Sequence, residues 1–246
     1  MSEQHDPYLY HPELKGRIAD PFASRFRQMD MALIDQKMLE AGAGPDWRRT
    51  DEARELSRVQ TLRDRLDESL WVFGYGSLVW DPGFVFDQVR IGRLDGYQRS
   101  FCLRSEIGRG CAEKPGLMLG LDAGGFCESL VFRIPADVLE QETRLIWQRE
   151  MMRHTYAPTF VPVQTSAGTV QALTFIVDPV ADNYIGNIAP AQAARFVATG
   201  AGLYGTCYDY VDNLARHLEA VGIHDPAVSS LREQARKLMV DNPGSG

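Results

Sequence analysis

The sequence lacks the features that mark membrane, exported and nucleic-acid-binding proteins. No run of about 18 apolar residues occurs, so no membrane-spanning helix is expected. The start, MSEQHDPYLYHPELKG, has no basic stretch followed by an apolar one, so no signal peptide is expected. The net charge of −7 argues against general binding to nucleic-acid phosphates, which requires a basic face. These absences predict a cytoplasmic protein without nucleic-acid or membrane partners.

Motifs for metal binding, redox chemistry and serine hydrolysis are also absent. The cysteines, at positions 102, 111, 127 and 207, never have C-x-x-C spacing, so we predict reduced thiols that pack as small apolar side chains. The histidines at 154, 217 and 224 share no metal-ligand spacing, and we predict no metal site. Ser77 does not lie in a G-x-S-x-G motif, so a hydrolase triad is not indicated.

What is present is typical of a globular protein of one or two domains, with 44% hydrophobic and 24% charged residues. Residues 1–68 are rich in Arg, Asp, Glu and Met. They carry a helical pattern over 22–41 and a second one from Thr50 or Asp51, whose charged outer face is expected to be solvated. We predict a helical N-terminal extension over 1–68 and a catalytic domain over 69–246.

From residue 69 the pattern favours strands. Hairpins are predicted around Asp95-Gly96 and around residues 122–125, and a strand pair is predicted on either side of Ala167-Gly168. Helices are predicted from Pro135 to about 152, from Pro190, over 206–221, and from Asp225-Pro226 to near 240. Because strands and helices do not alternate regularly, the order favours an α+β protein with a mixed, barrel-like sheet and surrounding helices.

Residues 71–80, WVFGYGSLVW, interrupt an apolar strand with two glycines. Val79 stands where a dinucleotide fingerprint needs its third glycine, and a P-loop ending is missing. The glycines instead allow positive φ or a close approach of backbone. Exposed N–H groups in such a turn form a concavity that suits a carboxylate. A purely structural turn, with Tyr75 and Leu78 in the core, is an equal alternative.

Glu150 is the second candidate, in the predicted helix after Pro135. Residues 139, 146 and 150 fall in one narrow sector of a helix, so Glu150 shares a face with Leu139 and Ile146. Burial of a carboxyl group raises its pKa and needs a partner or a function. A salt bridge to Arg149 or Arg153 is the structural alternative. Glu140 and Glu142 are expected to be solvated.

Several of these segments together resemble the ChaC-like γ-glutamylcyclotransferases. The resemblance rests on WVFGYGSLVW, then Gly96-Tyr97-Gln98-Arg99, then the Arg149-Glu150 pair, and finally segments 175–178, 183–186 and 204–210, followed by the helix to His217-Leu218 and the GIHDP turn. It covers about residues 69 to 240. Cys111-Ala112 and Asn187-Ile188 depart from the family's usual Thr-Pro and Pro-Leu pairs, which bears on substrate choice rather than on fold.

The resemblance implies a small barrel with surrounding helices and, without cofactor or metal, the cyclisation of glutathione. The products would be 5-oxoproline and cysteinylglycine, with Glu150 as the general acid and base. Substrate contacts are expected from residues of the loop and two pocket side chains: Gly74, Tyr75, Gly76, Ser77, Leu78, Arg99 and Tyr210. Another γ-glutamyl substrate, or a binding protein without turnover, remains open, and the sequence does not decide the oligomeric state or the role of residues 1–68.

Overall fold

The computed structural model describes residues 6–241. Its helices are α1 (Met31–Glu40), α2 (Asp51–Thr61), α3 (Leu139–Glu150), α4 (Pro190–Thr199), α5 (Cys207–Ala220) and α6 (Pro226–Asp241). Its strands are β1 (Leu70–Gly74), β2 (Gln88–Ser105), β3 (Gly116–Ile134), β4 (Tyr156–Thr165), β5 (Gly168–Val177), β6 (Ala201–Gly202) and β7 (Gly205–Thr206). Short 3₁₀ turns include Pro21–Ala23, Arg25–Gln28 and Ser77–Val79.

Strands β1 to β5 form a closed barrel in the order β1-β3-β2-β4-β5. The barrel closes where β1 pairs in parallel with β5, while its other described pairs, including β1 with β3 and β4 with β5, are antiparallel. Strand β1 is buried along most of its length, as expected for an apolar strand with a neighbour on each edge. The predicted barrel-like α+β fold is confirmed.

The described residues form two compact units. Unit 1 comprises the described residues up to Met29 together with Arg48–Gln98 and Ala123–Asp178. Unit 2 comprises Asp30–Trp47, Arg99–Asp122 and the described residues from Pro179 onward. The boundary falls within β2 and β3. The predicted division at residues 68 and 69 stays a prediction, although the first strand does begin at Leu70.

The two predicted hairpins at 95–96 and 122–125 are wrong, because each region lies inside one long strand. Gly96 has φ +84° within β2, and Gly124 has φ +115° within β3. Positive φ at a glycine produces a bend or bulge as readily as a reversal of the chain. Here the two strands, of 18 and 19 residues, continue through the glycines and supply the length that a curved sheet needs.

The remaining predictions of strands and C-terminal helices are confirmed. β4 and β5 are joined at residues 166–167, where the Thr165 hydroxyl donates to the Gly168 carbonyl. Thr206 caps α5 by accepting the N–H of Asp209. Asp225 accepts two N–H groups at the start of α6. Such caps satisfy backbone donors that lack helical partners and fix where each helix begins.

The predicted helix over 22–41 is wrong in its first half. Residues 21–28 form two 3₁₀ turns, and α1 begins only at Met31. Asp20, Ser24 and Asp30 each accept backbone N–H groups two or three residues later. Each of these three caps begins a new short element, so one continuous helix does not form, because such side chains compete with helical hydrogen bonds. The second helix begins after the cap Thr50, as predicted.

Each unit has its own apolar core. In unit 1 the Phe84 and Phe132 rings pack edge to face, and so do the rings of Trp147 and Phe175. In unit 2, helices α4, α5 and α6 contact one another around a buried cluster. That cluster contains Leu117, Ala193, Ala194, Val197, Cys207, Val211, Leu231 and Ala235.

The cysteines are free, and Cys102, Cys127 and Cys207 are buried, as predicted for structural thiols. Across residues 6–241, helices fall short of the length and apolar character needed to cross a bilayer.

Candidate active site

The loop that follows β1 is built on a close approach of backbone to side chain. A Cβ atom at Gly74 would lie 2.7 Å from the Cβ of Leu78, so only glycine fits at the end of β1. Gly76 keeps a negative φ of −118° and precedes the 3₁₀ turn Ser77–Val79. Of the two uses that the sequence suggested for these glycines, close approach is therefore the one found at Gly74.

Three hydroxyl groups anchor this loop to the barrel. The Ser129 hydroxyl on β3 donates to the carbonyl of Gly74, and the Thr174 hydroxyl on β5 donates to the carbonyl of Phe73. The Tyr75 hydroxyl donates to the carbonyl of Phe175 at 2.8 Å. All three donors are buried, so these bonds also satisfy carbonyl groups that water does not reach.

Glu150 is the last residue of α3, on the face that packs inward. Leu139 and Ile146 on the same stripe are buried, and the Glu150 side chain is 17% exposed. The predicted helical stripe is confirmed. Burial raises the pKa of the Glu150 carboxyl above its ordinary value, while the neighbouring Arg149 charge acts in the opposite direction.

Arg149 joins the Glu150 carboxyl to the loop. Its Nε lies 3.1 Å from Oε1 of Glu150, and one terminal nitrogen donates to the Ser77 hydroxyl at 2.6 Å. Its other terminal nitrogen donates to the carbonyl of Asp81 at 2.6 Å. The Arg149 side chain is only 6% exposed. One guanidinium therefore connects the two features that the sequence singled out separately, the glycine loop and the buried acid.

Some residues around this centre were not predicted as part of it. Ser129 and Thr174 are single hydroxyls within apolar strands, and no local pattern distinguishes them from other strand residues. Arg149 was considered as a possible salt-bridge partner of Glu150 and as part of the pair that carries the family resemblance, but its contact with Ser77 was not predicted. Arg153, the alternative partner, is exposed.

One glutamate and one arginine that were expected to be solvated are buried in the structure. Glu142 is buried rather than solvated, because Arg27 binds both of its carboxylate oxygens, at 2.6 and 2.9 Å. Arg58 is also buried, although its helix face was expected to be solvated; it binds Glu55 and Glu140. Glu140 itself stays largely exposed, as predicted. Buried charges need such partners, which periodicity alone does not reveal.

Arg99 and Tyr210 belong to unit 2. The Arg99 guanidinium lies 3.1 Å from a carboxylate oxygen of Asp225. The Tyr210 ring packs edge to face on Phe101, and the Arg109 guanidinium lies 5.5 Å from the Tyr210 centroid. Their assignment as substrate contacts stays a prediction, as do the substrate contacts expected of Gly74 to Leu78.

Residues 6–241 contain no cluster that could hold a metal ion, defined as three or more His, Cys, Asp or Glu side chains in a suitable arrangement. The part of the site described above is built from a carboxyl group, a guanidinium, a hydroxyl and backbone carbonyl groups. Such a set can bind a small polar molecule and move a proton.

Comparison with known proteins identifies the family. The family model described as ChaC-like protein matches residues 70–238. The glutathione-specific gamma-glutamylcyclotransferase of Escherichia coli is 38% identical over 193 residues, which cover 78% of this chain and 84% of that protein. The human glutathione-specific gamma-glutamylcyclotransferase 1 is 26% identical over 190 residues, covering 75% of this chain and 86% of that protein.

Solved structures support the fold. A yeast gamma-glutamyl cyclotransferase specific to glutathione superposes with a TM-score of 0.62 at 18% identity, over 69% of this chain and 96% of the yeast chain. That likeness agrees with the predicted α+β fold of a mixed, barrel-like sheet with surrounding helices. Together, the family match over residues 70–238 and the 38% identity to the bacterial relative show that the chain belongs to the ChaC-like protein family.

Proposed function

We propose that the protein is a γ-glutamylcyclotransferase that acts on glutathione. Support comes from the bacterial and human relatives, which bear that name and of which the chain covers 84% and 86%. A Schizosaccharomyces pombe relative with the same name is 32% identical over 198 residues.

The observation that carries the proposal is the linkage of Glu150, through Arg149, to Ser77. A carboxyl group whose pKa is raised by burial is better suited to transfer protons than an ordinary carboxyl group, because its pKa moves toward the operating pH. Arg149 keeps this acid beside the loop that would hold the substrate.

The reaction is internal to the γ-glutamyl group. Its α-amino nitrogen attacks its own γ-carbonyl carbon, a C–N bond closes the five-membered ring, and the bond from that carbon to the cysteine nitrogen breaks. The α-ammonium nitrogen loses two protons as it becomes the ring amide, and the leaving nitrogen gains two as it becomes the ammonium group of cysteinylglycine; Glu150 carries these protons, one at a time, between the two nitrogens. The products are 5-oxoproline and cysteinylglycine, and no water is consumed. Since both reacting atoms belong to one molecule, effective molarities of about 10⁵ M or more become available once the chain is folded back.

The loop Gly74-Tyr75-Gly76-Ser77-Leu78 is the proposed cradle for the substrate's α-carboxylate. Gly76 provides no side-chain cap to the 3₁₀ turn that follows it, and the first N–H groups of a helical turn have no partner within the turn. Anchored carbonyls at Phe73 and Gly74 keep this backbone in place before substrate arrives. Preorganised donors bind a carboxylate without further ordering of the chain.

Arg99 and Tyr210 are retained as proposed pocket residues. We also retain the cytoplasmic location, which is supported by the free thiols of all four cysteines, since disulfides are rare in reducing compartments. Residues 1–68 are proposed as an extension to a catalytic domain over 69–246, consistent with a family match that begins at residue 70.

Turnover of glutathione tests the proposal. Purified protein is incubated with glutathione and, separately, with γ-glutamylalanine, and 5-oxoproline and free glutamate are measured. Glutathione is expected to give 5-oxoproline and cysteinylglycine in equal amounts. Glu150→Gln is expected to lower kcat by roughly 10²- to 10⁴-fold, the usual contribution of a general acid and base. Its matched control is Glu140→Gln on the exposed side of the same helix.

The other outcomes each exclude something specific. Product from γ-glutamylalanine alone would mean a different γ-glutamyl substrate, in line with Arabidopsis relatives named gamma-glutamylcyclotransferase without mention of glutathione. Free glutamate in place of 5-oxoproline would indicate hydrolysis. No product from either compound would favour a binding protein, and full turnover by Glu150→Gln would remove the role of Glu150.

A further inference from the structure

The segment Pro21–Gln28 lies outside the residues that the family model matches, yet it contacts the helix that carries Glu150. It consists of two 3₁₀ turns, capped by the side chains of Asp20 and Ser24. Ser24 is buried. The chain here has a defined course, fixed by local caps rather than by a long helix.

Phe26 covers the guanidinium of Arg149. The ring centroid lies 3.6 Å from the guanidinium carbon, within the range of a cation–π contact. Because the ring occupies one face of the guanidinium, water is excluded there, which strengthens the contacts of Arg149 with Glu150 and Ser77.

Arg27, the next residue, holds the same region from a second point. It binds both carboxylate oxygens of Glu142 on α3 and donates to the carbonyl of Gly83 at 3.1 Å. Glu142 in turn accepts the N–H of Val85 at 2.9 Å. Arg149 binds the carbonyls of Asp81 and Pro82 in the same stretch. The segment, α3 and residues 81–85 are therefore cross-connected by two arginines.

We propose that Pro21–Gln28 is part of the active-site scaffold and that Phe26 is a positioning residue, which orients Glu150 and Ser77 by holding Arg149 in place. This inference rests on the proposed function of Glu150. The extension then has a definite role in this chain: it completes the packing around Arg149 and Glu150 from outside the residues that the family model matches.

The consequence for Glu150 has a definite sign. Without the ring, Arg149 is hydrated and moves more freely, so its stabilisation of the ionised Glu150 carboxylate weakens and the pKa of Glu150 rises further. Among the other charged groups near α3, Arg27 pairs with Glu142, and Arg58 and Arg144 pair with Glu55 and Glu140. Arg49 contacts the backbone of Arg153, and Asp81 adjoins Arg149, which donates to its carbonyl in every variant compared. The acidic limb of the kcat/KM profile therefore moves to higher pH.

The experiment compares Phe26→Ala, Phe26→Leu and Phe26→Tyr in the full chain. Phe26→Ala and Phe26→Leu should lower kcat for glutathione by roughly 3- to 30-fold, the range that corresponds to loss of a desolvated cation–π contact, and should move the acidic limb upward. Phe26→Tyr keeps the aromatic face, so its kcat and the pH of its acidic limb should match those of the wild type. If Phe26 had only a structural role, Phe26→Ala and Phe26→Leu would lower the melting temperature but would not move the acidic limb of the kcat/KM profile.

Phe126→Ala is the matched control. Arg93 lies over the Phe126 ring at the same 3.6 Å, so the variant removes an equivalent stack from an exposed position on β3. It should leave kcat and the pH limb unchanged. An unshifted limb in Phe26→Ala, or an equal shift in Phe126→Ala, would overturn the proposal.

A second measurement does not depend on turnover. The Glu150 carboxyl carbon is labelled with ¹³C, assigned with Glu150→Gln and titrated by NMR in the wild type and in the Phe26 variants. A higher pKa in Phe26→Ala than in wild type and Phe26→Tyr supports the positioning role even if glutathione is not the substrate. Equal pKa values in all of them contradict it. Absence of glutathione turnover in the wild type would instead count against the proposed function.

Discussion

The Ser129 hydroxyl on β3 donates to the carbonyl of Gly74, the residue at which β1 ends and the loop 74–78 begins. Ser129 is fully buried, so water cannot replace this bond when the hydroxyl is removed. Thr174 holds the preceding carbonyl, that of Phe73, in the same manner. The barrel therefore holds the start of this loop through two backbone carbonyl groups.

Ser129→Ala should therefore destabilise the protein and loosen the loop together. The buried Gly74 carbonyl would lose its partner, a loss of about 1–3 kcal/mol. We expect a lower free energy of unfolding in urea and a higher KM for glutathione, with kcat less affected. Ser230→Ala, at an exposed position on α6, should change stability by less than about 0.5 kcal/mol. A Ser129→Ala protein with wild-type stability and KM would contradict this account.

The ion pair of Arg27 and Glu142 should contribute to stability through the penalty of breaking it. The side chains of Arg27 and Glu142 are only 12% and 2% exposed, so removal of one partner leaves the other charge buried. We expect Arg27→Ala to lower the free energy of unfolding by about 3–5 kcal/mol.

A surface pair provides the control for that prediction. Arg236 and Glu233 on α6 form a comparable two-bond contact but are 55% and 46% exposed. Arg236→Ala should change the free energy of unfolding far less than Arg27→Ala does, because exposed pairs are weak. Equal effects of the two substitutions, measured by urea unfolding, would show that burial of Arg27 is unimportant.

Features with a local signal could be predicted from the sequence. Glu150 was placed on the buried face of its helix because residues 139, 146 and 150 share one sector of a 3.6-residue period. Caps at Thr50, Thr206 and Asp225 mark where helices begin, since their side chains bind N–H groups two or three residues later.

Features that depend on direction or on distant partners could not be predicted. An Asp-Gly dipeptide indicates a glycine with positive φ, but it does not say whether the chain reverses or, as at Gly96, only bends. Arg27 and Glu142 are 115 residues apart, and Arg149 and Ser77 are 72 apart. No periodicity links positions so distant. The sequence therefore indicated the acid and the loop separately, and only the fold revealed that Arg149 joins them.

Arg149→Lys tests whether the geometry of the guanidinium matters beyond its charge. Lysine keeps a positive charge but cannot contact Glu150, the Ser77 hydroxyl and the Asp81 carbonyl at once, as the planar guanidinium does. We expect kcat/KM for glutathione to fall roughly 10- to 100-fold, the range that corresponds to the loss of one charge-assisted hydrogen bond.

The control for Arg149→Lys is Arg153→Lys, at an exposed position just beyond α3. It should retain wild-type kcat/KM, and both variants should retain the circular dichroism spectrum of the wild type. If Arg149→Lys were as active as Arg153→Lys, positive charge alone would be sufficient at position 149.

The raised pKa of Glu150 also predicts how stability depends on pH. The folded protein holds the Glu150 proton to higher pH than the unfolded chain, where the carboxyl titrates near 4.5. The folded state therefore binds more protons above pH 4.5, and the contribution of Glu150 to the free energy of unfolding falls as the pH rises toward its folded pKa. A glutamine at position 150 has no proton to lose, so the Glu150→Gln protein does not undergo this decrease in stability.

Urea unfolding of both proteins should be measured from pH 4 to 8. The two free energies of unfolding should be similar at the acidic end, and that of Glu150→Gln should exceed that of the wild type by an increasing amount as the pH rises. Carboxylates with lowered pKa values, such as Glu55 and Glu140, affect both proteins equally and cancel in the difference. A wild type that gains stability relative to Glu150→Gln as the pH rises would mean that Arg149 outweighs burial and that Glu150 is ionised when the enzyme is free.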